Sequence, residues 1–144
     1  MDGNLDIRIV DTDANFAHCR AIRMRVFVEE QAVPAELEMD DLDAVATHLL
    51  ACVDGEPVGT ARLVDKGEAV KIGRVAVLKE YRGSGVGKSI MEYAIDEARR
   101  RGYREVVLSS QTYALPFYER LGFIAEGPEY DDAGIPHRTM RLAL

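Results

Sequence analysis

Cysteine is scarce in this chain. It occurs only at Cys19 and Cys52 among 144 residues, with no metal-ligand spacing around either, so both read as core thiols and no metal site is expected. A run of 18 or more apolar residues is missing, which excludes a membrane-spanning helix by the usual length criterion. The opening Met1-Asp2-Gly3-Asn4 lacks a basic region leading into an apolar stretch, so no secretory signal is expected and a cytoplasmic location is. Fixed-period repeats and low-complexity segments are absent too. Basic charge is in deficit: 18 Lys and Arg against 25 Asp and Glu leave a formal net charge of -7, opposite to the surface field of a general nucleic-acid binder. Neither nucleic acid nor membrane is expected as a partner, and a homodimer is left open.

What is present suits one globular domain over residues 1–144, with 47% apolar and 30% charged residues and length enough for a sizeable core. The acid is unevenly spread. Glu29, Glu30, Glu36, Glu38, Asp40, Asp41 and Asp43 follow one another with no Lys or Arg between them. Such a run is either a solvated face or a field that favours a cationic ligand.

The periodicities predict β-α-(α)-β-β-β-α-β-α-β-β, an α/β sandwich with a parallel crossover in its central strand-turn-helix-strand unit. A strand is expected over 6–10. A helix follows to about Gln31, capped by Asp11 or Asp13, with Phe16, Cys19, Ile22, Val26 and Phe27 at near-helical spacing, and Pro34 stops it. A looser acidic stretch runs to Ala46. Strands over 47–53 and 58–64 flank Asp54-Gly55, a hairpin signal, and a third runs from about Ala69 to Leu78. A helix over 86–101 presents Val86, Ile90, Met91, Ala94 and Ala98 on one face and the pairs Lys88/Glu92, Asp96/Arg100 and Glu97/Arg101 on the other. After the strand Val106-Val107-Leu108, Thr112 opens a helix to Leu121. Strands 123–125 and 139–142 close the chain around a loop holding Tyr130-Asp131-Asp132 and Gly134-Ile135-Pro136-His137.

Between the third strand and the long helix lies Arg82-Gly83-Ser84-Gly85-Val86-Gly87. Gly83, Gly85 and Gly87 give a backbone that can turn successive N–H groups to one point at a helix N-terminus, and Arg82 and Lys88 flank it. This is an anion cradle suited to phosphate. It is not a P-loop, because position 82 is Arg where the first glycine of G-x-x-x-x-G-K-[ST] should stand. Nor is it a dinucleotide fingerprint, because Lys88 occupies the third glycine position.

The turn and its preceding strand Val75-Ala76-Val77 resemble the R/Q-x-x-G-x-G/A cofactor motif of the GNAT family of N-acetyltransferases. Downstream, Ala114-Leu115-Pro116-Phe117-Tyr118-Glu119-Arg120-Leu121-Gly122-Phe123 is similar to that family's A-x-x-F-Y-x-x-x-G-F segment. Arg23 to Gln31, Ala46-Thr47-His48 and Gly134 to His137 resemble its ElaA/YjcF-like branch. One position departs: Gln111 stands where an Asn commonly precedes the A-x-x-F-Y motif.

The resemblance implies a GNAT-type acyl-CoA N-acyltransferase fold, a mixed sheet of about six to seven strands flanked by about four helices. It implies transfer of an acetyl group from acetyl-CoA to a primary amine by direct attack in a ternary complex, with a small-molecule or amino-acid-like acceptor. A non-catalytic acyl-CoA sensor and a protein lysine or N-terminal acetyltransferase are the alternatives. The donor is expected on the backbone of Val75, Ala76 and Val77 and on Arg82, Gly83, Gly85, Val86, Gly87 and Lys88. Tyr118 matches the tyrosine to which the family assigns protonation of the leaving thiolate, with a pKa near the thiol's range. His137 is the candidate base, with its intrinsic pKa near ~6.5; His48 is a second choice and His18 is expected to face solvent. For the acceptor, Glu30 suits an amine and Arg74 a carboxylate.

Overall fold

In the computed structural model, described here for residues 3–144, seven strands form one mixed sheet in the order β1-β2-β3-β4-β5-β7-β6. The strands are β1 (Leu5–Ile9), β2 (Thr47–Val53), β3 (Glu56–Lys66), β4 (Ala69–Val77), β5 (Glu105–Gln111), β6 (Ile124–Asp132) and β7 (Ile135–Ala143). The helices are α1 (Asp13–Arg23), α2 (Ala35–Glu38), α3 (Val86–Arg100) and α4 (Leu115–Glu119). All neighbouring strands are antiparallel except β4 and β5. The expected six to seven strands and four helices are therefore present. Among the described residues no helix is long and apolar enough to cross a membrane.

The two faces of the sheet are covered by different helices, and the period-2 alternation of the strands divides the core accordingly. Leu49 and Ala51 pack with Val86, Ile90, Met91, Ala94 and Ala98 of α3, whereas Leu50 and Ala76 pack with Cys19 and Ile22 of α1 and with Val26 beyond it. Strand β3 is buried from Val58 to Val64. Its Gly59 lets α3 come close: a Cβ there would lie 2.7 Å from Ile90 Cδ1 and 3.3 Å from the Ala76 carbonyl oxygen.

Several local expectations are corrected. Thr12, not Asp11 or Asp13, caps α1, its hydroxyl accepting from Asn15 N at 3.1 Å. The end of the first helix, Met24–Glu30, is wound as a π-helix. On α3 the predicted Glu97/Arg101 pair forms, but Glu97 also pairs with Arg100, and Asp96 pairs with Arg99 rather than with the predicted Arg100. The helix expected over 112–121 is a 3-10 turn, Thr112–Ala114, followed by the single short helix α4. The closing strands are longer than predicted. Tyr130 pairs with His137 and Asp132 with Ile135, so the acidic "loop" is a β-hairpin turned by Ala133 and Gly134 at φ 54° and 81°. At the first hairpin Asp54 and Gly55, at φ 51° and 84°, form the expected tight turn.

The acidic run is in part a solvated face, with Glu29, Glu36 and Asp41 exposed. Three of its carboxylates are neutralised by arginines from distant elements. Arg23 Nε donates to Glu38 Oε2 at 2.8 Å and its Nη1 to Asp43 Oδ1 at 2.9 Å. Arg62 donates to Asp40 at 2.7 Å and to Asp43 at 2.9 Å. Arg74 donates from Nε to Glu38 Oε2 at 3.0 Å and from Nη2 to Asp40 Oδ2 at 3.3 Å. Arg23 and Glu38 are each 1% exposed. This network pins the α1–β2 connection to the sheet, which places α2 over the site.

Candidate active site

Strands β4 and β5 pair only through Ala69, Val70 and Lys71 with Glu105, Val106 and Val107. Beyond these three residues they diverge. The register of β3 against β4 shifts between Thr60 and Arg62, and Arg74, at φ 51°, sits in the resulting bulge. A bulge bends its strand, and this one turns the end of β4 away from β5. Leu78 N donates to Val58 O at 2.8 Å, so by alternation Ala76 and Leu78 face β3 while the backbone groups of Val75 and Val77 face the gap. The Ala76 side chain is buried on the α1 face.

The gap opens into a cavity of about 210 Å³ that includes Ile72 to Val75 from β4 and Leu108 to Gln111 from β5. Tyr118 and His137 both line it. So do Phe27 and Gln31 from the π-helical turn, and Gln111 Nε2 donates to Gln31 Oε1 at 2.7 Å, tying β5 to that turn. The π-helix matters here because its wider winding ends with Gln31 against the pocket. Extra-wide turns of this kind are common at functional sites.

At the far end of β4 the glycine turn leads into α3. Gly83 and Gly85 take φ 80° and 90°, a left-handed backbone that a side chain would strain by about 1–2 kcal/mol. Gly85 is the N-cap of α3 and offers no side-chain cap. The first N–H groups of the helix, from Val86, Gly87 and Lys88, therefore lack the partners a capping side chain would give. They and the positive end of a 15-residue helix form a concave donor array suited to phosphate. Gly87 packs beside Phe117 and Val77, where a Cβ would find contacts at 3.6 and 3.7 Å. Lys88 is exposed. Arg82 is folded back: its Nε donates to the Val77 carbonyl at 2.9 Å and its Nη2 to Glu30 Oε1 at 2.7 Å.

Tyr118 stacks edge-on against Phe117 and Phe123, with ring centroids 5.0 and 6.0 Å apart. Burial, with a smaller contribution from Tyr113, pushes its phenol up to about 12. That corrects the expectation of a pKa near the thiol's. A phenol so placed stays protonated and acts as a fixed hydrogen-bond donor. Its hydroxyl makes no protein hydrogen bond among the described residues.

His137 is buried on β7 beside Tyr130, with the rings stacked at 6.1 Å. Its Nδ1 lies 2.7 Å from the Ile135 carbonyl oxygen. A carbonyl only accepts, so Nδ1 carries a proton, and in the neutral form of the ring Nε2 keeps a lone pair. His48 is placed elsewhere: Nε2 bonds the Asp43 carbonyl at 2.9 Å and the ring packs on Phe16, a structural role that removes it as a base. His18 is exposed, as expected. Burial pushes the thiols of Cys19 and Cys52 up, which suits inert side chains rather than nucleophiles.

The acceptor residues come out differently. Glu30 does not line the cavity and is paired with Arg82. Arg74 does line the cavity, held by Glu38 and Asp40. Glu38 lines it as well, and in the sequence nothing separates it from its acidic neighbours.

Residues 11–144 match the family model of the acetyltransferase (GNAT) domain. The N-acetyltransferase YjcF of Bacillus subtilis is 40% identical over 120 residues, 83% of this chain and 86% of that protein. ElaA of Escherichia coli is 35% identical over 124 residues, 83% of this chain and 81% of its own. The crystal structure of an acyl-CoA N-acyltransferase from Pseudomonas aeruginosa superposes with a TM-score of 0.87 at 34% identity, over 99% of this chain and 100% of that one. The diverging β4 and β5, the glycine turn into α3 and the tyrosine-bearing α4 thus occur in a protein that belongs to the acetyltransferase (GNAT) family.

Proposed function

We propose that this chain, acting as one domain, transfers an acetyl group from acetyl-CoA to the primary amine of a small-molecule or amino-acid-like acceptor. The observation that carries this reading is the divergence of β4 and β5 beyond Lys71 and Val107, with the cavity holding Tyr118 and His137 between them and the glycine turn into α3 following the end of β4. The pyrophosphate would lie on the N–H groups of Val86, Gly87 and Lys88, and the pantetheine arm would pair along Val75 and Val77 as an added strand. Ala76, whose backbone faces β3, contributes packing rather than a hydrogen bond. An acyl-CoA donor is also what the name of the Pseudomonas acyl-CoA N-acyltransferase gives for that protein. Two unpaired cysteines suit a reducing, cytoplasmic setting.

In this reading the amine nitrogen attacks the thioester carbonyl carbon and the carbonyl electron pair moves to oxygen. A gap-facing N–H of β4 stabilises that oxyanion. His137 Nε2 takes the amine proton, directly or through one water. As the intermediate collapses, the C–S bond breaks, its electrons go to sulfur, and Tyr118 O–H donates to the developing thiolate. The thiolate then takes up, through water, the proton that His137 carries, so that the CoA thiol and the amide are released and both side chains return to their starting forms.

The test is release of free thiol from acetyl-CoA in the presence of amine pools. Amine-dependent thiol release with acetylated product supports the reading. Binding of acetyl-CoA without turnover on any pool would instead favour a sensor, and acetylation of protein lysines or N-termini alone would move the acceptor to macromolecules.

A further inference from the structure

We propose that Glu38 and Arg74 form a two-point docking site for a zwitterionic α-amino acid, Glu38 Oε1 receiving its ammonium and Arg74 Nη1 its carboxylate. The inference rests on the acetyltransferase reading and names its acceptor.

Glu38 is 1% exposed, yet only one of its carboxylate oxygens is used. Oε2 accepts from Arg23 Nε and Arg74 Nε, at 2.8 and 3.0 Å, and Oε1 is buried without a hydrogen-bond partner. An ionised oxygen left unpaired in the interior is costly, and native proteins rarely keep one without a use for it. Glu38 lines the cavity that holds Tyr118 and His137, so a donor brought in by a ligand would complete its set.

Arg74 presents the matching vacancy. Its Nε and Nη2 are committed to Glu38, Asp40 and the Leu37 and Glu38 carbonyls. Among the described residues no bond engages Nη1, and the side chain remains 27% exposed at the cavity wall. The left-handed backbone at Arg74 (φ 51°) is a conformation a non-glycine residue holds only at a cost. Here it sets the guanidinium beside Glu38. The two side chains thus display opposite charges in contact, as an α-amino acid displays its ammonium and carboxylate one carbon apart, and a charged pair of this kind recognises its complement by charge-assisted hydrogen bonds. Around them Phe27, Val33 and the outward-facing Leu37 and Tyr113, 56% and 76% exposed, make an apolar wall that favours an aliphatic side chain.

The experiment compares L-leucine with 3-methylbutylamine, the same amine without its carboxylate, at saturating acetyl-CoA in the wild type, Glu38→Gln and Arg74→Met. The wild type should prefer L-leucine by at least about tenfold in kcat/KM. In Glu38→Gln the amide oxygen is retained by Arg23 and Arg74, which turns the amide N–H₂ toward the incoming ammonium. KM should then rise about tenfold for both amines while KM for acetyl-CoA changes less than about twofold. Arg74→Met should lose about tenfold on L-leucine alone. The wild-type comparison decides the matter even if a variant fails to fold: equal kcat/KM for the two amines overturns the site while leaving the transferase reading intact. Calorimetric binding of L-leucine to the CoA-loaded protein without acetyl transfer would do the reverse, upholding the site and sinking the transferase reading.

Discussion

Arg82 Nη2 donates to Glu30 Oε1 at 2.7 Å while its Nε holds the Val77 carbonyl at 2.9 Å. The one guanidinium expected at the phosphates is thereby folded over the end of β4, on a carbonyl that faces the gap. Both partners are substantially exposed, 43% and 33%, so the pair is worth about 0–1 kcal/mol and gives way to a dianionic ligand. Glu30→Gln should therefore tighten acetyl-CoA, lowering its KM up to about fivefold with kcat unchanged. An increase in KM would mean that Glu30 assists rather than competes.

Tyr118→Phe removes the donor to sulfur and keeps the ring packed on Phe117 and Phe123. We expect kcat to fall about 10²-fold or more with acetyl-CoA affinity nearly intact. The phenol's pKa is raised to about 12, so the acid form persists at all pH values below that and no alkaline limb from Tyr118 belongs in the rate profile up to pH ~10. A limb near pH 9 that vanishes in Tyr118→Phe would contradict this.

His137→Ala should slow transfer more near pH ~6.5 than near pH ~9, where free amine is more plentiful. Parallel loss across the profile would restrict His137 to shaping the β5–β7 wall.

The fold was legible because its signals are local: the apolar faces of α1 and α3, the Asp54-Gly55 hairpin and the glycines before Val86 each act within a few residues. The acceptor side was not, because it depends on contacts between remote positions. Glu38 is buried only because Arg23 and Arg74, 15 and 36 positions away, converge on it. The same holds for the pairing of Gln111 with Gln31 and of Glu30 with Arg82, 80 and 52 positions apart. The β6–β7 hairpin escaped because Asp131, Asp132, Gly134 and Pro136 carry turn chemistry while their backbone pairs as a ladder.

The buried network has a stability signature. Arg23→Met leaves buried Glu38 with Arg74 as its one remaining side-chain partner and should cost roughly 1–3 kcal/mol, read as a lower urea midpoint. Hydrogen bonding from Arg62 holds Asp40 below the usual carboxylate range; at Asp43 burial pushes the other way, and hydrogen bonds from Arg23 and Arg62 outweigh it. Depressed pKa values stabilise the folded state above the ordinary carboxylate value of about 3.9. That stability is lost as the pH falls through the folded values. Asp43→Asn should lower stability at pH ~7 and flatten its decline below pH ~4; an unchanged acid transition would remove Asp43 from the network.

Residue-resolved amide hydrogen exchange with acetyl-CoA tests most directly whether the donor occupies the gap between β4 and β5. Added acetyl-CoA should protect the amides of Val75 and Val77 together with those of Val86, Gly87 and Lys88, and ATP at the same concentration should not. Protection confined to surfaces away from β4 and the first turn of α3, or equal protection by ATP, would contradict an acyl-CoA site there.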